Sequence, residues 1–99
     1  MKYYFLLLFT ITLTSCSAQK ETNAAKNKQG DLVGFANKES FNQAPYDIWF
    51  TENFDTYKPD EAIVSSLETA LKDIRIKGFM GTWCGDSKRE TPHLYKILE

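Results

Sequence analysis

An uncharged, largely apolar run from Tyr3 to Leu13 (YYFLLLFTITL) decides how much of this chain is free to fold. Lys2 precedes it, and small Thr14 and Ser15 stand between it and Cys16. A positive start, a short apolar stretch and small residues before a cut site make a secretory signal, and the stretch is too short to span a bilayer as a helix. A buried core helix would need a polar face, and residues 3–9 offer none. Residues 1–15 are therefore read as a signal peptide. The folded protein has to be built from residues 16–99, one small domain that can bury only a modest share of its surface. Without Lys2 the formal charge is one unit more negative than the −1 of the whole chain. Lys and Arg are scattered and form no basic block, which argues against a nucleic-acid partner.

There are two cysteines, Cys16 and Cys84, and their spacing suits no zinc site, so neither a metal nor another cofactor is expected. Export to an oxidising compartment would permit a disulfide between them. However, Leu13-Thr14-Ser15-Cys16 resembles the bacterial lipobox. That resemblance implies a diacylglycerol on the Cys16 sulfur, cleavage just before it and acylation of the new amine, which leaves no thiol for Cys84. Membrane lipid is then a partner through Cys16, because each buried CH₂ of the added chains contributes about 0.8 kcal/mol. An ordinary cleaved signal followed by a free cysteine is the alternative. Ser17, where Asp would imply inner-membrane retention, points to the outer membrane of the cell envelope, on its periplasmic or surface face. Gln19-Lys20-Glu21 loosely resembles surface-export tags of Bacteroidetes lipoproteins.

Residues 17–31 (SAQKETNAAKNKQGD) contain no aromatic or large aliphatic side chain and cannot repay their ordering entropy. As a coil they would hold a domain roughly 20 Å from the lipid. Leu32, Val33, Phe35 and Phe41 return apolar character that can pack but sustain no period, so the stretch to Pro45 is ambiguous; residues 16–45 are assigned to lipidated cysteine and flexible tether, and 46–99 to the domain. Tyr46 to Thr51 (YDIWFT) is aromatic and β-branched and reads as a strand. Lys58-Pro59-Asp60-Glu61 is a helix start, with proline in the first turn and acids facing the positive end of the dipole. Ile63, Val64, Leu67, Ala70, Leu71 and Ile74 then form one apolar stripe, and Lys72 and Asp73 close the helix. Ile74 to Met80 alternates and then turns apolar, as a second strand would. A turn over Gly81–Cys84 leads to a helix beginning near Asp86, with Leu94, Ile97 and Leu98 on one side. The order strand, helix, strand, loop, helix makes an α/β domain with a reactive loop at the carboxyl end of a strand.

That loop carries the chemistry. Phe79-Met80-Gly81-Thr82-Trp83-Cys84-Gly85-Asp86-Ser87-Lys88 resembles the active-site loop of thioredoxin-fold proteins, where a buried strand runs into Trp-Cys-Gly-x-Cys-Lys and then a helix. Trp83, Cys84, Gly85 and Lys88 match directly, and Pro92 stands where thioredoxins carry the proline that kinks this helix. The form WCGDS, with Pro92 and Lys96-Ile97-Leu98, is similar to a lipoprotein-type thioredoxin subfamily of Bacteroidetes. The likeness covers about residues 46–99 and implies the amino-terminal portion of a thioredoxin-like fold. It also implies thiol–disulfide exchange, with protein or low-molecular-weight thiols and disulfides as partners. Thioredoxin-like domains continue past this helix, and the chain stops at Glu99 inside a helical pattern, so a fragment that is inactive alone is expected.

The residues support such chemistry independently of the name. A sulfur at a helix start sits beside unpaired N–H groups and the positive dipole end, and both favour the reactive thiolate. Gly85 gives access, Trp83 offers an apolar contact, Lys88 and Arg89 add positive charge and Asp86 opposes them, which leaves the net sign open. Ser87 occupies the place of the second cysteine. It can hydrogen-bond the thiolate but cannot expel a partner, so a dithiol cycle within the loop is excluded, while monothiol exchange and oxidation to a sulfenic acid remain. Against these stand a buried, inert Cys84 and a non-catalytic binding or scaffold lipoprotein on the same fold. His93, about 13 Å along the helix from Cys84, reads as a surface residue. Asp86 and Glu90 read as a solvated pair rather than a metal site, and Trp49, Phe50, Phe54 and Tyr57 as core.

Overall fold

The structure, a computed structural model, describes residues 22–99. The expected signal peptide, the lipidation site Cys16 and the first part of the tether lie outside the described residues. The described chain is mixed α/β. Strands β1 (Ala25–Lys26) and β2 (Leu32–Val33) form an antiparallel pair, with Ala25 opposite Val33 and Lys26 opposite Leu32. A 3₁₀ turn at Lys38–Phe41 and helices α1 (Tyr46–Thr56), α2 (Glu61–Ala70) and α3 (Gly85–Leu98) follow.

Residues 22–31 are thus not the flexible tether their composition predicts, and the ambiguous stretch that follows is ordered as well. The hairpin closes on an Asn27 side chain that accepts from the Gln29 and Asp31 amides at 3.0 and 2.9 Å, and Gly30 supplies the positive φ of 87° that the reversal needs. Asn37 caps the 3₁₀ turn reciprocally with Ser40. Phe41, at the end of that turn, is buried.

The strand expected over Tyr46–Thr51 is the first half of α1. Followed to Phe54, the segment places Tyr46, Trp49, Phe50 and Phe54 at helical spacing, and that period overrides the β propensity of the first six residues. The Tyr46 and Asp47 amides both donate to the Gln43 carbonyl, at 2.9 and 3.1 Å, which starts the helix just behind Pro45. Phe41, Tyr46 and Phe50 form the buried core, flanked by Leu32, Trp49, Phe54 and Tyr95. Phe50 stacks on Phe41 with ring centroids 5.1 Å apart and meets Tyr95 of α3 at 5.9 Å, so α1 and α3 share this aromatic contact. Lys96 of α3 donates to the Phe54 carbonyl at 2.6 Å, placing a cation at the negative end of α1. Lys38 pairs with Glu99 beside it.

Helix α2 forms close to where expected, but Pro59 precedes its cap instead of occupying its first turn, and it ends at Ala70, which leaves Ile74 beyond the stripe. Asp60 is its N-cap and accepts from the Ala62 and Ile63 amides at 3.0 and 3.1 Å. Its apolar stripe is real but unburied: Ile63 is exposed, and Val64 and Leu67 only line a shallow groove with Tyr57, Pro59 and Ile97. The strand expected over Ile74–Met80 is absent. The segment is irregular and exposed throughout, because with Tyr46–Thr51 helical there is no neighbouring strand to complete a ladder. The expected strand–helix–strand–helix order is accordingly replaced by hairpin, 3₁₀ turn and three helices.

Phe50→Ala is expected to cost about 3 kcal/mol in unfolding free energy. Ile63→Ala, on the uncovered face of α2, should cost no more than about 0.5 kcal/mol. Urea titrations followed by helical circular dichroism compare the two, and equal losses would mean that the aromatic contact is not the centre of the fold.

Candidate functional site

The site begins with the end of the irregular segment. The Gly81 amide donates to the Ser87 hydroxyl at 3.2 Å, and the Cys84 amide donates back to the Gly81 carbonyl at 3.0 Å, closing the turn over Thr82 and Trp83. Thr82 is buried, only 5 % exposed, and fastens this turn to the hairpin. Its hydroxyl accepts from the Leu32 amide at 3.1 Å and donates to Asp31 at 3.3 Å. Asp31 lies 51 residues away in the chain, in the stretch expected to be tether. Neither Thr82 nor Asp31 was a candidate from sequence. A hydroxyl beside a tight turn gives no local sign of which distant amide it will satisfy.

Cys84 is the N-cap of α3, as the expectation of a sulfur at a helix start requires. It is half-buried and free, with a backbone in the extended region (φ −91°, ψ 124°) and with its carbonyl accepting from the Lys88 amide at 3.0 Å. The thiol pKa lies below its ordinary value. The largest cause is the Ser87 backbone N–H, followed by the Ser87 hydroxyl and the Asp86 N–H. Partial burial and the Asp86 carboxylate push upward without reversing the result. The sign left open by the sequence is therefore downward, and the agents are amide and hydroxyl donors rather than lysine or arginine charge.

The surrounding residues divide into those close to the sulfur and those engaged elsewhere. Ser87, in the place of a second cysteine, accepts from the Gly81 amide, and its backbone N–H and hydroxyl both pull the thiol pKa down. Gly85 opens α3, and apart from its chain neighbours and its own helix's backbone a methyl group there would meet nothing within 4 Å, so no other part of the chain covers this residue. Trp83 is 74 % exposed, and its indole folds against Gly81, where a methyl group would come within 2.7 Å of Cε2. Arg89 lies between Asp86 and Glu90 at 3.1 and 2.7 Å, so its charge is spent on those carboxylates. Pro92 is buried within α3, where it lacks the N–H that the Lys88 carbonyl would otherwise receive. His93 is not a plain surface residue, since its ring stacks on Tyr57 at 4.0 Å, away from the thiol. Of the expected core aromatics, Phe50 is buried, Trp49 and Phe54 are partly buried against it, and Tyr57 is the partner of His93. Among the described residues, no cluster of His, Cys, Asp and Glu could hold a metal ion.

Because donors lower this pKa, the thiolate forms at lower pH than in an ordinary cysteine. Ser87→Ala removes one donor and leaves the backbone N–H groups, so the pH of half-maximal alkylation of Cys84 should rise. Asp86→Asn removes the opposing charge, so the midpoint should fall. Iodoacetamide labelling rates across pH, with Cys84 resolved by peptide mass spectrometry, measure both shifts. Unmoved midpoints in the two variants would show that the sulfur does not sense these groups.

No known family model matches the chain, and neither a curated protein nor a solved structure does, so what the loop can do is argued from its own geometry.

Proposed function

We propose that the protein is a thioredoxin-like envelope protein, held to the membrane by lipid on Cys16, that performs monothiol thiol–disulfide exchange through Cys84. The observation that carries this reading is the Cys84 thiol at the N-cap of α3, with its pKa lowered by the Ser87 and Asp86 donors. A half-buried sulfur beside a Gly85 that no other part of the chain covers is the second support, since an inert cysteine would be expected deep in an apolar interior.

The exchange needs no cofactor. The Cys84 thiolate attacks one sulfur of a partner disulfide; the Cys84–partner S–S bond forms as the partner's own S–S bond breaks. The displaced sulfur leaves as a thiolate and takes a proton from solvent. Ser87 has no sulfur with which to resolve the mixed disulfide. A separate thiol therefore attacks it, regenerating the Cys84 thiolate and leaving with the partner sulfur as a new disulfide. Ser87 and the amides of Asp86 and Ser87 favour Cys84 both as attacking and as leaving thiolate.

Full-length protein incubated with hydroxyethyl disulfide should acquire a mercaptoethanol adduct at Cys84 that added thiol removes. The Cys84→Ser variant should acquire none at that position. Absence of the adduct, or formation only at the pH of an ordinary thiol near 8.5, would overturn the exchange reading in favour of a binding platform. The lipid attachment is tested separately. Cells fed a clickable fatty acid should label the protein, and Cys16→Ala should abolish the label; a labelled Cys16→Ala protein would sink the anchor.

A further inference from the structure

The Asp86 carboxylate is the charge that opposes the Cys84 thiolate. It stands in the first turn of α3, where the leading N–H groups have no partner inside the helix. A carboxylate there has two attractive directions. Turned toward the helix mouth, it accepts from those N–H groups, competes with the sulfur for them and brings its own charge alongside. Turned along the helix, it meets a cation one turn on. The second direction is the one taken. Arg89 Nη2 donates to Asp86 Oδ1 at 3.1 Å, and among the described residues no backbone N–H donates to that carboxylate.

Arg89 is itself held. Its Nε donates to Glu90 Oε1 at 2.7 Å, and this bond is the first cause of a Glu90 pKa below the ordinary carboxylate value. The other Glu90 oxygen faces His93 Nδ1 at 3.7 Å, and the His93 ring lies on Tyr57. A planar guanidinium engaged by two carboxylates has its orientation fixed more firmly than one engaged by a single acid. Direct attraction of the sulfur by Arg89 is the weaker account, because both of its pairs are spent on Asp86 and Glu90. We propose that Arg89 is a positioning residue for Cys84 that acts through Asp86, holding that carboxylate along the helix and leaving the amides of Asp86 and Ser87 to the sulfur. The inference rests on the proposed thiol exchange for its consequence: Arg89 keeps the attacking and leaving thiolate available.

The test compares Arg89→Ala in the full-length protein with the same substitution in the Asp86→Asn background, by iodoacetamide labelling of Cys84 across pH. Asp86, Arg89 and Glu90 are all more than half exposed, so the effect is modest. Arg89→Ala alone should raise the pH of half-maximal alkylation and slow labelling below it about two- to threefold. In the Asp86→Asn background it should change neither, and helical circular dichroism should be the same in all variants. An unmoved midpoint in Arg89→Ala would overturn the inference. Equal slowing in both backgrounds would overturn it too, since Arg89 would then act on the sulfur directly. Alkylation is read without any exchange partner, so failure of the hydroxyethyl disulfide adduct would defeat the exchange reading alone.

Discussion

The contact between α1 and α3 through Phe50 is the constraint on which the other positions depend. Phe50 packs on Phe41 before it, Phe54 after it and Tyr95 across from it, so one ring joins the 3₁₀ turn, its own helix and the helix that carries the thiol. Tyr46, one turn earlier in α1, is buried and donates its hydroxyl to the Gly30 carbonyl at the hairpin's reversal. The hairpin in turn holds Thr82 by the Leu32 amide and Asp31 carboxylate. A closed circuit results: α1 fixes α3 on one side and the hairpin on the other, and the hairpin fixes the loop that enters α3. Among the described residues few apolar side chains are buried, chiefly Phe41, Tyr46, Phe50 and Pro92, so each link carries a large share of the ordering.

Within that circuit the thiol is governed by short-range donors. Lysine and arginine were the evident sources of positive potential in the sequence. Yet Arg89 is committed to Asp86 and Glu90, and the downward pull on Cys84 comes first from the Ser87 amide. Oriented N–H groups at a helix start are part of the backbone and cannot swing away or be screened as a surface side chain can. Serine at position 87 is therefore more than a lost cysteine. Its hydroxyl receives the Gly81 amide and supports the sulfur anion at once, binding the two ends of the turn together.

The parts of this structure that were legible in the sequence are those determined within a few residues. A helix start near Asp60, the Gly81–Cys84 turn and the start of α3 all follow from neighbouring residue types, although Pro59 precedes the cap instead of standing in the first turn. Distance along the chain and the length of the segment decide the rest. Six aromatic and β-branched residues looked like a strand until Phe54 joined the period of Tyr46, Trp49 and Phe50. The alternation of Ile74–Met80 is present, but a strand is a property of two segments, and Tyr46–Thr51, its expected neighbour, is helical. The polar stretch ahead of Leu32 looked unable to order itself, and on its own apolar content it is. It is ordered by side-chain hydrogen bonds at Asn27 and by ties to Tyr46 and Thr82, whose partners no local pattern names.

This division explains why the correction to the sheet does not propagate into the chemistry. The donors acting on Cys84 lie at Asp86 and Ser87, within one helical turn, so they are present wherever α3 begins at Gly85. They require no strand behind them. What the missing ladder changes is the surface the sulfur shares with its surroundings: the segment before Gly81 is solvated and cationic instead of walled in by neighbouring strands. The lowered pKa of the thiol is thus a local property of residues 84–88, whereas the surface beside it is set by residues 74–83 and by the hairpin that pins Thr82. The two can change independently, because a substitution in the segment leaves the amides at the mouth of α3 where they are.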